Sequence, residues 1–125
     1  PAASSPEYET YQQWLHYAEC SAMLPFLLKL YVSRLGEAGA PLSPRIESEI
    51  ANHLGYIDQS LQGRDWLVGD SISGADIQLS FVGEVAGARG NRERYPNVEA
   101  WVKRFQQRPA YRRALQRGGP YAYAT

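Results

Sequence analysis

Ser73 and Asp76, three residues apart, open the stretch SGADIQLSFVGEV. A helix leaves its first amides without partners. With Ser73 as N-cap, its hydroxyl accepts from the Asp76 amide and the Asp76 carboxylate takes the Ser73 amide in return. Ile72 and Ile77 occupy the two flanking hydrophobic positions. Ile77, Leu79, Phe81, Val82 and Val85 then go almost all the way round, the pattern of a helix buried on several sides. Such a helix must have neighbours packed around it.

The same stretch has a second reading. Gly69-Asp70-Ser71-Ile72 has the form of a serine-esterase nucleophile block. A nucleophilic serine needs a base within hydrogen-bond reach. In such esterases the block stands near the start of an α/β chain and the histidine lies far downstream. Here His16 and His53 both lie upstream, and no parallel-strand pattern exists to hold the turn. The helix start is the reading that fits.

The neighbours are legible as helices too. No period-2 run bounded by hairpin dipeptides occurs, and helical spacing recurs throughout. A first helix, YETYQQWLHYAECSAMLPFLLKLYVSRL, begins after Pro6 and stops at Gly36, with one bend expected at Pro25. Ser43 as N-cap and Pro44 in the first turn begin a second, with Ile46, Ile50, Leu54, Ile57 and Leu61 along one stripe and Gly63 at its end. Trp66, Leu67 and Val68 are more apolar than a loop needs and are expected against the core. The third helix is the one opened by Ser73. Tyr95-Pro96 precedes a fourth, capped by Asn97 and lined by Val98, Trp101, Val102 and Phe105. A short fifth runs from Arg108-Pro109 to Gly118-Gly119, and the tail PYAYAT is expected to be extended. The fold class is therefore all-α, a bundle of about five helices forming one domain over residues 1–125.

Composition narrows the functional classes. With 44% hydrophobic and 21% charged residues and zero net charge, the chain is an ordinary globular domain with no bulk electrostatic partner. No stretch approaches the roughly 20 apolar residues of a membrane span. Residues 89–117 hold nine of the 13 basic residues, and Arg104, Arg108, Arg112 and Arg117 approximate a stripe. Cations at helix ends account for them, and Trp101 and Phe105 mark the inward face, so no nucleic-acid partner is expected. Cys20, the single cysteine, excludes an internal disulfide and suits a reducing compartment. A small buried or half-buried thiol is expected there. His53 is expected on the surface and His16 facing solvent. With Cys20 they make no credible metal site.

Trp66-Leu67-Val68-Gly69-Asp70 followed by the Ser73/Asp76 box and Ile77 closely resembles the C-terminal helical domain of the glutathione S-transferases. Tyr95-Pro96-Asn97-Val98 before Trp101, then Phe105 and Arg108-Pro109-Ala110-Tyr111, agree with that family. Tyr11, Trp14-Leu15-His16-Tyr17-Ala18-Glu19 and Ser21 look like the fourth helix of its bacterial and fungal members. The resemblance spans nearly all of the chain.

That resemblance implies a dimeric, cytoplasmic, detoxifying transferase. In it, glutathione is the co-substrate and its thiolate attacks an apolar electrophile. It further implies an N-terminal thioredoxin-like domain that binds most of the glutathione and stabilises the thiolate. No βαβ pattern here could be that domain, so the chain alone is expected to be inactive and to hold no catalytic residue. By resemblance the pocket side is the first half of the first helix, where Tyr8, Tyr11 and Leu15 would wall the electrophile site. For Tyr11 that spacing describes core packing equally well, and Leu15 reads as core. His16, Cys20 and Met23 form a second face with Ser21 beside it. The matching family positions touch glutathione, and Met23 stands where related enzymes carry a histidine. The alternative function is a non-catalytic interaction module, since translation factors and synthetase complexes reuse this domain as a docking surface.

Overall fold

Residues 8–33 form one rod with a widened turn inside it. The computed structural model, which describes residues 1–124, has α1 over Tyr8–Tyr17, a π-turn over Ala18–Ala22 and α2 over Leu24–Ser33. The amide of Met23 reaches back five residues to Ala18 at 3.1 Å. Pro25 supplies the physical cause: it has no N–H, and its ring crowds the carbonyl four residues earlier. The expected bend is therefore present, made as a π-turn one turn before the proline.

A 3-10 segment, Gly36–Leu42, leads into α3, Ser43–Ser60. Ser43 does not cap it. That residue is already helical (φ −58, ψ −45), because the preceding 3-10 turn runs straight into the helix. The second helix of the sequence reading is otherwise as expected, with Ile46, Ile50, Leu54 and Ile57 buried along one stripe. Trp66, Leu67 and Val68 lie in the core.

The remaining elements are α4 over Gly74–Arg89, a short 3-10 turn over Arg92–Arg94, α5 over Pro96–Gln106 and α6 over Pro109–Gly118. Counting the bent rod once, these are five helices, and no strand occurs among the described residues. α4 is the axle, packed by α1, the π-turn and α5. α5 approaches it closely at Gly83, where a methyl group would stand 2.7 Å from the Trp101 ring and 2.9 Å from Val102. Ile77 and Phe81 are corrections to the all-round burial expected of α4. They are 66% and 41% exposed and form a row on its outer side.

Asn97 does not cap α5 with its own side chain, since Pro96 already begins the helix. Asp58 of α3 does so from a distance. Its Oδ1 accepts from the Asn97 amide at 2.8 Å and the Val98 amide at 3.1 Å, and its Oδ2 accepts from Asn97 Nδ2 at 2.9 Å. The tail is not extended either. It turns at Tyr121, whose carbonyl accepts from Ala124, and its last residue, Thr125, lies outside the described residues.

Candidate functional site

The head of α4 is where sequence and geometry meet most closely. Asp76 is fully buried, and a desolvated carboxylate needs donors for its lone pairs. It has four. Oδ2 accepts from the Ser73 amide at 2.9 Å and the Ser73 hydroxyl at 3.0 Å. Oδ1 accepts from the Leu67 amide and the Trp101 indole N–H, both at 3.0 Å. The Ser73 hydroxyl in turn accepts from Ala75 at 3.2 Å, and the reciprocal box is closed. Asp76 is thus saturated and acts as a structural hub joining loop, cap and α5. Ser71 is exposed. Neither histidine lines its groove, so no base stands ready for a nucleophile there.

That groove, about 410 Å³, runs between the start of α1 and the loop before α4, with Glu7, Tyr11, Gly69, Ser71 and Ser73 among its walls. A second groove of about 660 Å³ opens beside it, lined by Glu7, Thr10, Arg64, Asp65 and Asp70. Tyr11 is half-buried and packs against the core, so its position serves both readings given for it. A methyl group at Gly74 would meet the Tyr11 hydroxyl at 2.5 Å. Only a glycine lets that phenol rest on the first turn of α4. Tyr8 lies 6.5 Å from Tyr11, ring centre to ring centre, and accepts a hydrogen bond from Gln12 at 2.7 Å. Leu15 is half-buried.

The second set of residues does not stay on one face. His16 and Cys20 are exposed, while Met23 packs against the core. The π-turn separates them, because five residues are spent where an α-helix would use four. It also overturns the buried thiol expected at Cys20, which faces solvent. Ser21 is half-buried within the same turn. π-turns inside α-helices frequently mark functional sites.

His53 is a further correction: it is half-buried, not on the surface. Its Nδ1 lies 2.7 Å from the Tyr17 hydroxyl, in a cluster where Trp14 stacks on Tyr56 and Tyr17 meets both edge-on. Burial pushes the Tyr17 phenol well up from its ordinary value, and neighbouring Tyr56 adds to the shift. The sequence reading missed this cluster. Its signal was a matched pair of i, i+3 steps, Trp14/Tyr17 and His53/Tyr56.

Several basic residues of the last third are used internally. Arg92, buried, donates to Glu99 at 2.5 Å and to the Gly83 carbonyl at 3.3 Å. Partial burial pushes the Glu99 carboxyl up, but the hydrogen bonds and charges of Arg92 and Lys103 outweigh it and hold the group below its ordinary range. Arg104 pairs with Asp65 at 2.8 Å, and Arg104 and Arg108 both lie over the Trp66 ring. On α2, by contrast, Leu24, Leu27, Leu28 and Tyr31, with Leu35 just past its end, leave an exposed apolar stripe, from 36% exposed at Leu27 to 59% at Leu35.

Comparison with known proteins converges on one family. Glutathione S-transferase 3 of Schizosaccharomyces pombe is 27% identical over 128 aligned residues, covering 89% of this chain and 52% of that protein. Glutathione S-transferase 1 of Saccharomyces cerevisiae is 24% identical over 115, covering 78% and 49%. The chain spans about half the length of these relatives. A crystal structure of a glutathione S-transferase from Actinobacillus pleuropneumoniae superposes with a TM-score of 0.79 at 26% identity, over 94% of this chain and 53% of that one. Residues 19–109 match the glutathione S-transferase C-terminal domain, and the chain belongs to that family.

Proposed function

We propose that residues 1–125 are a single helical domain, the electrophile-pocket and dimerisation half of a cytoplasmic, detoxifying glutathione transferase. A thioredoxin-like half would bind glutathione and hold its sulfur as the thiolate, the nucleophilic form. That sulfur attacks the electrophilic carbon, a thioether forms, and the leaving group departs with its electron pair. On this chain, Tyr8 and Tyr11 wall the apolar side with Leu15 behind them. His16, Cys20 and Ser21, in and beside the π-turn, lie toward glutathione, with Met23 turned to the core behind them. The apolar stripe on α2 supports association with a second copy.

One observation carries this reading: most of the chain aligns with transferases about twice its length. The test joins the chain to a thioredoxin-like half and assays conjugation of glutathione to chlorodinitrobenzene. Turnover is expected from the joined protein and none from this chain alone. Tyr11→Ala should alter relative turnover across apolar electrophiles while leaving the KM for glutathione in place. A joined protein that binds glutathione but conjugates nothing would favour the second reading, a non-catalytic interaction module, which the same exposed α2 stripe supports.

A further inference from the structure

Two tyrosine hydroxyls of residues 109–124 converge on a single carboxylate of the bundle. α6 buries no residue fully, and Tyr111 and, from the tail, Tyr123 are half-buried against the core. The carboxylate is that of Glu84, in the middle of α4 and 3% exposed. Glu84 Oε1 accepts from the Tyr111 hydroxyl and from Gln106 Nε2 at 3.1 Å, and Oε2 accepts from the Tyr121 hydroxyl at 2.7 Å. Two of the three donors thus come from the segment being held. Ring contacts complete the attachment: Tyr111 on Phe105 and Tyr123 on Phe81, each at 5.8 Å.

Beneath this segment lies an apolar cleft of about 300 Å³ between α4 and α6, lined by Ile72, Ile77, Ser80, Phe105, Tyr111 and Ala114. Tyr111 is both a wall of the cleft and a donor to Glu84. We propose that Glu84 is a latch and that α6 with its tail is a flap, which opens locally when the two tyrosine hydroxyls leave the carboxylate and so removes the Tyr111 and Ala114 wall of the cleft. A segment with few buried apolar contacts and hydrogen bonds gathered at one point opens well below the cost of global unfolding. Burial and the Glu84 carboxylate push the Tyr111 phenol up to about 12, so the hydroxyl remains a donor to the latch even where an ordinary tyrosine, at about 10, ionises.

Hydrogen exchange on the 125-residue protein tests this with Tyr121→Phe, Tyr111→Phe and Glu84→Gln. Each removes a donor or the acceptor charge. In Tyr121→Phe, amides of residues 109–118 should exchange about tenfold faster, the effect of one lost hydrogen bond to a charged group, while amides of α5 and the first half of α4 keep their rates. Should Glu84→Gln fail to fold, the two tyrosine variants carry the test unaided. Unchanged α6 exchange in both, or acceleration of α6 and α4 together, would overturn the proposal.

Discussion

The indole N–H of Trp101 donates to Asp76 Oδ1 at 3.0 Å, across 25 residues of chain. This bond makes the head of α4 and the middle of α5 one unit. Losing the carboxylate leaves the indole, the Leu67 amide and the Ser73 amide without their acceptor in the core. Asp76→Ala should therefore cost about 3 kcal/mol or more, roughly 10 °C in Tm. Calorimetry checks it, and a loss under about 3 °C would contradict the hub.

Two glycine-to-alanine changes in helix interiors should have opposite signs. Gly55→Ala in α3 meets nothing within 4 Å and should stabilise by about 0.5–1 kcal/mol through helix propensity. Gly83→Ala drives a methyl into Trp101 and Val102 and should destabilise by about 1–3 kcal/mol. Urea melts of the two variants read the difference directly. Equal effects would refute the close approach of α4 to α5.

Asp58→Ala removes the acceptor for two amides at the start of α5. A lost N-cap costs about 0.5–2 kcal/mol, and Asp58 serves two amides, so the upper end is expected. Asn97→Ala should cost less, because the Asn97 side chain makes only one of the three bonds. The reverse order would restore Asn97 as the cap.

Stability should fall in alkali before the global transition. Burial, then the Glu84 hydrogen bond and charge, push Tyr111 up to about 12 and push Tyr121 up as well. An unfolded tyrosine ionises near about 10. A raised folded value means the contribution is complete below pH 10 and is lost as pH rises from about 10 toward 12. Denaturant melts at pH 8, 10 and 11 should show this decline, and Tyr111→Phe, weaker at every pH, should show a shallower one. For Glu99 the sign reverses. Its lowered carboxyl contributes above its ordinary range, and the contribution disappears as pH falls below it.

Much of the frame was legible because its signals are local. The Ser73/Asp76 box is four residues long, and the stripes of α3 and α5 show in their spacing. What sequence did not show was mostly supplied from elsewhere in the chain. Asp58 caps α5 from 39 residues away, so Asn97 looked like the better cap. Tyr17 takes up His53 from 36 residues away, so a histidine on a polar-looking helix face turned out half-buried. The tail tyrosines showed no partner until Glu84 appeared beneath them. At the candidate site the miss was geometric. Trp14, Ala18, Ala22 and Phe26 are all buried at strict steps of four. On a uniform α-helix each such step drifts about 40°, and the widened turn absorbs part of that drift. That strict spacing, with Pro25 inside it, was the available signal.

The five-residue turn at Ala18–Ala22 has an evolutionary consequence. It holds one residue more than the helical pitch requires, so a single-codon deletion there could be absorbed with Trp14 and Phe26 still facing inward. The same deletion elsewhere between Trp14 and Phe26 would swing one of them round by about 100°. Within this rod, tolerance of length variation is therefore concentrated at the segment carrying Cys20 and Ser21, where local shape can diversify while the helix on either side keeps its inward face.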